Sequence, residues 1–306
     1  MSDHWLQDRW ADFSYGVDKV ATNVALRLRC RLARPFRDLT ADPQRFAQDQ
    51  LLPRAERSYG IMFTPRSGSS YLAEVLAQTG QLGQPGEVFN PDFVPKIATA
   101  YNASNVAQYC AMLWIKRQKY GLIGFEITPD QMLACFSSER HFMTLCVPGH
   151  WLWLIREDIV AQAVSSSRMI QTRIAHDRSA GLAELASADK NFVYDAPTIR
   201  RRIATLRWRE IQAERFFARW NIRPLRMSYE QIMRLGPVAV AQLVARHIGI
   251  HLLNDAEFNT VHRKLGTEKS ISFAERFRNE HSRLISRVER ERAQIVTGLA
   301  ALSESV

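Results

Sequence analysis

The sequence predicts an α/β protein in which a central parallel sheet is flanked by helices on both faces, a three-layer sandwich. Four short and almost wholly apolar runs predict the strands, and a stretch with helical spacing follows each run. Runs without polar alternation are typical of strands buried on both faces, and alternation of strands with helices is typical of parallel sheets. Ligands of such sheets bind at the carboxyl ends of the strands, so functional residues are expected directly after strands.

The strands and helices are assigned from these patterns in chain order. The predicted strands are 59–64, 121–128, 151–156 and 222–228, and the helices that follow them are 69–79, 129–138, 157–175 and 229–248. A long additional helix is predicted at 197–219. Between the last two strands, 178–196 is rich in Ala, Asp, Ser and Gly without periodicity, which favours a loop or lid.

Residues 1–57 are interpreted as a basic helical extension that precedes a main domain at 58–306. Apolar side chains at helical spacing are followed by the basic stretch RLRCRLARPFR at 27–37; they are Trp5, Trp10, Phe13, Val17, Val20 and Val24. The helix is expected to pack on the body or on a second subunit. The alternative is peripheral contact of an amphipathic helix with a membrane surface, against which the acidic residues of the helix argue: Asp3, Asp8, Asp12 and Asp18.

The C-terminal stretch 270–302 is charged but carries one apolar stripe at spacings of three, four and seven residues. Its members are Phe277, Leu284, Val288, Ile295, Leu299 and Leu302. Such a stripe favours packing within the chain. A seam between two copies in a homodimer is the alternative.

Composition limits the classes of protein to which the chain can belong. The 306 residues, 46% of them hydrophobic, suffice for one large domain or two small ones. The four cysteines are widely spaced, so neither a zinc site nor a disulfide scaffold is indicated; they are Cys30, Cys110, Cys135 and Cys146. The N-terminus lacks the pattern of a signal peptide, and a cytoplasmic protein with reduced thiols is expected.

The net charge of +10 and the pI of about 9.8 indicate a polyanionic partner. Nucleic acid, an anionic membrane and a nucleotide donor all qualify. Against a basic protein that binds nucleic acid without catalysis, the sequence shows no signature of a nucleic-acid-binding fold, and its aromatic residues are not interleaved with its basic ones. We therefore expect no nucleic-acid partner.

The stretch IMFTPRSGSSYL at 61–72 joins the first predicted strand to the first helix after it. Gly68 permits tight backbone geometry, and Ser69 or Ser70 is able to cap a helix that Gly80 ends. A strand, a small-residue loop and a helix N-terminus present free backbone N–H groups and a positive dipole end to an anion. The pattern predicts a phosphate-binding loop that carries its own cation, Arg66.

This P-loop-like segment is not the loop of an ATPase. The pattern G-x-x-x-x-G-K-[ST] is absent, no lysine follows the glycine, and no carboxylates nearby are arranged to bind magnesium. These absences argue against a nucleotide-dependent phosphotransferase, which stays the second enzymatic interpretation. A phosphate held without metal suits the sulfuryl donor 3′-phosphoadenosine 5′-phosphosulfate (PAPS), whose leaving oxygen gains charge during transfer.

Three motifs in order resemble the bacterial trehalose 2-sulfotransferase-like family of PAPS-dependent sulfotransferases. They are PRSGSSYL at 65–72, GQPGEVFNP at 83–91 and LIREDIVAQAVS at 154–165. The resemblance covers residues 58 to about 280. It implies that the loop Arg66, Ser67, Gly68, Ser69 and Ser70 binds the 5′-phosphosulfate, that Glu87 is the catalytic base, and that a carbohydrate or glycolipid hydroxyl is the acceptor.

The third motif is expected to hold the 3′-phosphate. The resemblance assigns Arg156, at the end of a predicted strand, and Ser165, about two helical turns later, and this spacing lets both converge on one phosphate. For Arg156 the alternative is a salt bridge to Glu157 or Asp158, and for Ser165 the neighbouring hydroxyls are equivalent candidates. A late basic segment also reaches the 3′-phosphate in related sulfotransferases, here through Arg263, Lys264 or Lys269.

Glu87 is preferred as base because an alcohol acceptor must lose its proton during transfer. Of the histidines, His150 precedes a predicted strand at its wrong end. One departure from the family is Glu126, which stands where relatives carry a basic residue, so the charge of that part of the pocket is expected to differ. No metal is expected to take part.

Overall fold

The computed structural model of the protein describes residues 3–174, 189–252, 258 and 267–299, with side chains from Arg9 onward. The strands are β1 (Arg57–Phe63), β2 (Leu122–Ile127), β3 (His150–Ile155) and β4 (Leu225–Ser228). They form one parallel sheet in the order β2-β1-β3-β4. All four predicted strands are confirmed; the last is shorter than predicted and begins at Leu225.

Helices connect the strands and cover both faces of the sheet. In chain order the described helices are α1 (Asp3–Ala33), α2 (Pro43–Asp49), α3 (Ser69–Gln78), α4 (Val94–Ala100), α5 (Val106–Lys116), α6 (Pro129–Cys135), α7 (Glu139–Cys146), α8 (Ile159–Thr172), α9 (Ala196–Arg219), α10 (Tyr229–His247), α11 (Glu268–Glu280) and α12 (Ser282–Thr297). The predicted helix 129–138 is present as α6 and ends three residues earlier, at Cys135, and α7 follows it as a separate helix that was not predicted. Most of the predicted loop 178–196 lies outside the described residues.

The side chains of each strand alternate between two apolar layers, as the three-layer prediction requires. On one side, Ile61 and Leu152 pack with the buried faces of α3 and α10. On the other side, Met62, Trp151 and Trp153 pack with α5, α7 and α9. Because the sheet is buried on both faces, its strands read as continuous apolar runs, and the predicted α/β fold class is confirmed.

The helix predicted in the N-terminal extension is present as α1, and it packs on α6, α9 and α12. The helix therefore packs on the body, one of the two expected arrangements, but its apolar stripe does not make this packing. Trp10 is 67% exposed and Val20 is 67% exposed, whereas Ala11 and Tyr15 on the opposite face are buried. Ion pairs supplement this smaller apolar contact, which explains why the larger stripe is not needed for attachment. The domain boundary at 57 stays a prediction.

The C-terminal stripe packs inside the chain, as predicted. Phe277, Leu284, Val288, Ile295 and Leu299 are all buried. Phe277, Leu284 and Val288 join the core that α8 and α9 form, and Leu302 lies outside the described residues. None of the described helices combines the length and the apolarity needed to cross a bilayer.

Candidate functional site

The loop after β1 is held in place by buried polar contacts. The side-chain amide of Gln162, on α8, donates to Thr64 Oγ1 at 2.9 Å and to the Pro65 carbonyl at 2.8 Å. Arg66 and Gly68 both have positive φ, 68° and 82°. A Cβ on Gly68 would lie 2.6 Å from Tyr229 Cδ2, so both the turn and the close packing require glycine.

The N-terminus of α3 is left without a side-chain cap. Gly68 is the N-cap residue and no side chain accepts from the first turn, so the expectation that Ser69 or Ser70 caps the helix is wrong. The reason is geometric: the chain enters the helix in a left-handed conformation, which makes the glycine the cap and Ser69 the first helical residue. The first N–H groups of α3 therefore remain available to an anion.

Three guanidinium groups gather beside this helix end. Arg66 Nε donates to Ser165 Oγ at 3.0 Å, so two of the predicted residues are in direct contact. Burial, together with the positive charges of Arg156 and Arg168, lowers the pKa of Arg66. Like charges held together in a partly buried site are stabilised by an anion between them.

Arg156 does form a salt bridge, but not to the neighbours that the alternative interpretation named. Its Nε lies 3.6 Å from Glu230 Oε1, and its guanidinium lies 4.9 Å from the centre of the Tyr229 ring. Asp158 instead pairs with Arg278 and caps α8. Tyr229 thus contacts Arg156 and borders Gly68, which relates the two predicted phosphate sites to one another.

Glu87 is held by two amide donors. Its Oε2 accepts from Gln131 Nε2 at 2.7 Å and from Asn90 Nδ2 at 3.0 Å. Its loop is anchored two residues later by Phe89, which is buried in edge contact with four aromatic rings: Tyr109, Phe125, Phe136 and Phe142. A carboxylate that accepts two hydrogen bonds and still borders a cavity is positioned as a proton acceptor.

Glu126 is the second carboxyl group in this corner, and its environment differs. It is 4% exposed, and its Oε1 has no hydrogen-bond partner among the described residues. Burial, with a smaller contribution from the charge of Glu87, raises its pKa to about 8, although a hydrogen bond with Ser69 opposes the shift. The raised pKa favours the protonated form of Glu126 at neutral pH.

One cavity of about 1220 Å³ brings most of the predicted residues together. Its walls include Arg66, Gly68, Ser69, Ser70, Glu87, Arg156 and Ser165. Ser67 is the exception, since its side chain is fully buried behind the loop. Its hydroxyl oxygen has no partner among the described residues.

Several residues of the site were missed from the sequence. Gln131 carried a visible signal, because T-P-D-Q at 128–131 is a capping box, and that box fixes the helix start from which Gln131 reaches Glu87. Tyr229 follows a strand directly. Asp130 and Arg209 also line the cavity and form a bidentate ion pair with both N–O distances 2.7 Å. Burial opposes ionisation of Asp130, but the charge of Arg209 keeps the pKa of Asp130 below its ordinary value.

The late basic segment contributes little within the described residues. Arg263 and Lys264 lie outside them. Lys269 Nζ donates to the carbonyls of Asp189 and Lys190, at 2.8 and 3.1 Å. Within the described part of the chain, no three His, Cys, Asp or Glu side chains are grouped to hold a metal ion.

The sequence model of the Stf0 sulphotransferase family matches residues 126–280, just over half of the chain. The chain belongs to this family. The matched segment contains Arg156 and Ser165, while Arg66 and Glu87 precede it. As a member of the Stf0 sulphotransferase family the chain is a transferase, and sulfuryl transfer is its general activity.

Comparison with solved structures finds a sulfotransferase from Alicyclobacillus acidocaldarius. The two share 13% identity over 77% of this chain and 96% of the other, with a TM-score of 0.42. No curated protein sequence matches the chain significantly.

Proposed function

We propose that the protein transfers a sulfuryl group from PAPS to a hydroxyl of a carbohydrate or glycolipid. The observation that carries this proposal is that one cavity is lined by the uncapped end of α3, Arg66, Arg156, Ser165 and Glu87. A donor with two phosphate groups requires two anion-binding sites, and an alcohol acceptor requires a carboxylate in the same cavity.

The binding residues fit a donor of this kind. The end of α3 and Arg66 would hold the 5′-phosphate, and Arg156 with Ser165 would hold the 3′-phosphate. Tyr229 fills the space where a side chain on residue 68 would stand, so glycine is needed to keep the loop backbone in this position at the end of α3. The charges of the arginines offset those of the donor without a metal ion.

PAPS supplies the sulfuryl group: its bond from sulfur to the phosphate oxygen breaks as the acceptor oxygen bonds to sulfur, and the electron pair stays on the phosphate. Arg66 and the α3 N–H groups stabilise the charge that develops on that oxygen. Glu87 takes the acceptor proton, and Gln131 and Asn90 orient it. Protonated Glu126 adds no second negative charge beside Glu87.

We place the reaction in the cytoplasm, where cysteines remain reduced. Cys110 and Cys146 are buried with their sulfurs 3.6 Å apart, and all four described thiols are free. A reducing compartment keeps such a close pair as thiols.

The test is to incubate the protein with ³⁵S-labelled PAPS and host extract and to identify the labelled product. A sulfate ester whose formation requires Glu87 supports the proposal. Label that stays in PAPS or appears only as inorganic sulfate, from protein that binds the nucleotide, contradicts it.

A further inference from the structure

The outward face of α1 is a continuous apolar stripe. Its seven side chains recur at spacings of three and four residues and are each between 55% and 67% exposed: Trp10, Phe13, Val17, Val20, Val24, Leu28 and Leu32. Soluble surfaces seldom carry contiguous apolar patches of this length, and such patches mark interaction sites. At its start, the rings of Trp10 and Phe13 lie 5.8 Å apart.

The charges of α1 are divided between its two sides. Asp12 pairs with Arg287 at 3.1 Å and Asp18 pairs with Arg200 at 2.7 Å, so both acidic side chains between Arg9 and Arg37 are bound to the body of the protein. The sequence argument that these acids oppose an anionic surface therefore fails for the described side chains.

Basic side chains dominate the outward side. Arg27, Arg31 and Arg34 are exposed next to the C-terminal half of the stripe, and none forms an ion pair with another described residue. A groove beside the N-terminal half is lined by Phe13 and by three arginines, Arg9, Arg283 and Arg287, together with Asp12, which pairs with Arg287, so basic side chains outnumber the acidic one. An apolar stripe bordered by arginines complements a lipid surface of negative charge.

The stripe is continuous with the proposed active-site cavity. Leu28 and Leu32 belong to the exposed stripe and also line the cavity, as do Ala25 and Ala33 on the same helix. A molecule with an apolar part on α1 and a polar head in the cavity would bring that head to the wall that carries Glu87. Such a molecule is an amphiphile.

We propose that α1 docks on an anionic lipid surface and that the acceptor hydroxyl belongs to the head group of a lipid in that surface. The second part rests on the proposed function, and the first does not. A second copy of the chain is the less suitable occupant, because pairing two such stripes in either direction brings arginine borders together.

The docking test uses vesicles of phosphatidylcholine with and without phosphatidylglycerol. The full-length protein is expected to sediment with the anionic vesicles. Val17→Glu, on the stripe and away from the cavity, should abolish this, while the matched control Val238→Glu, at an exposed valine on α10, should not. Removing two arginines with Arg31→Gln and Arg34→Gln should weaken binding by about thirtyfold.

Binding of 3′-phosphoadenosine 5′-phosphate is measured on the same samples, which separates the two proposals. Nucleotide binding without vesicle binding overturns the docking proposal and leaves the proposed function standing. Vesicle binding without nucleotide binding overturns the proposed function and leaves the docking proposal standing. A dimer in light scattering that Val17→Glu dissociates, with no vesicle binding, assigns the stripe to a second copy and overturns the docking proposal.

The acceptor test offers labelled PAPS with either vesicles of total host lipid or the water-soluble fraction of the same cells. Label is expected in the lipid fraction and should fall at least tenfold in Val17→Glu but not in Val238→Glu. Equal transfer by Val17→Glu, or label confined to water-soluble products, overturns the assignment of a lipid acceptor.

Discussion

The two walls of the cavity are built in different ways. The wall that carries Arg66, Glu87 and Arg156 consists of chain that directly follows buried strands or is anchored to them by buried side chains. The opposite wall is one amphipathic helix, α1, which attaches through a few buried residues and ion pairs and leaves its apolar side exposed. The first wall is suited to fix reacting groups, and the second is suited to admit a variable partner.

The first wall, called the fixed wall below, is expected to show its largest mutational effect at Glu87. Glu87→Gln keeps the size and hydrogen bonding of the side chain but removes the proton acceptor, so turnover should fall by about 10²–10⁴-fold with little change in nucleotide affinity. Single-turnover sulfuryl transfer and nucleotide binding are measured on the same variant.

Asp92→Asn is the matched control for Glu87→Gln, since Asp92 is a carboxylate on the same wall without the two amide donors. It should retain near-normal turnover. Near-normal turnover of Glu87→Gln would remove Glu87 from the mechanism.

The pH dependence of stability tests whether burial raises the pKa of Glu126, the second carboxyl group near Glu87. Because its folded pKa, about 8, lies above the ordinary value of 4.5, the protonated form stabilises the fold fully below pH 4.5. The free energy of unfolding then falls by about 1.4 kcal/mol per pH unit as pH rises toward 8.

Glu126→Gln should remove this slope, so the variant gains stability over the parent as pH rises from 4.5, with the gain levelling off near pH 8. Chemical denaturation at several pH values measures it, and Glu289→Gln, at an exposed glutamate on α12, is the control. A parallel pH dependence in variant and parent would mean that Glu126 is ionised in the folded protein.

A substitution at Arg156 tests the proposed 3′-phosphate site separately from the 5′-phosphate site. Arg156→Ala should reduce the preference for the 3′-phosphorylated nucleotide over adenosine 5′-phosphosulfate by roughly ten- to a hundredfold, since a charge-assisted contact contributes about 1.5–3 kcal/mol. Competition binding gives the ratio, and Arg219→Ala, on the far end of α9, is the control. An unchanged ratio in a folded variant would limit Arg156 to its salt bridge with Glu230.

The two glycines at the ends of α3 allow a comparison with a smaller expected effect. Gly68 and Gly80 both have positive φ, but a Cβ would clash with Tyr229 only at Gly68. Gly80→Ala should cost about 1 kcal/mol of stability and leave nucleotide affinity intact, whereas Gly68→Ala should cost more and weaken nucleotide binding. Equal effects on binding would show that the close packing of Tyr229 does not shape the loop.

The fixed wall was also the part that could be predicted from the sequence. Strands buried on both faces are visible as apolar runs; Arg156 follows β3 directly, and Arg66 follows the end of β1 by three residues. The face by which α1 attaches could not be predicted, because its apolar periodicity shows that a stripe exists but not what covers it. Attachment there depends on Tyr15 and on pairs such as Asp18 with Arg200, which join residues distant in sequence.

Burial of polar groups was likewise beyond the sequence. Glu126 stood out as a departure from the family, yet its protonation follows from exclusion of water by the surrounding layers. The contact of Gln131 with Glu87 depends on how close the start of α6 lies to the Glu87 loop after folding, although the capping box that positions Gln131 is visible in the sequence.

Calorimetric titration with 3′-phosphoadenosine 5′-phosphate in the presence of a chelator tests the central claim most directly. The arginines and the α3 end provide the charge for the phosphates, so binding should persist without divalent metal and should weaken by roughly ten- to a hundredfold in Arg66→Ala. Binding that disappears with the chelator, or that Arg66→Ala leaves unchanged, would contradict the assignment of this cavity to the sulfuryl donor.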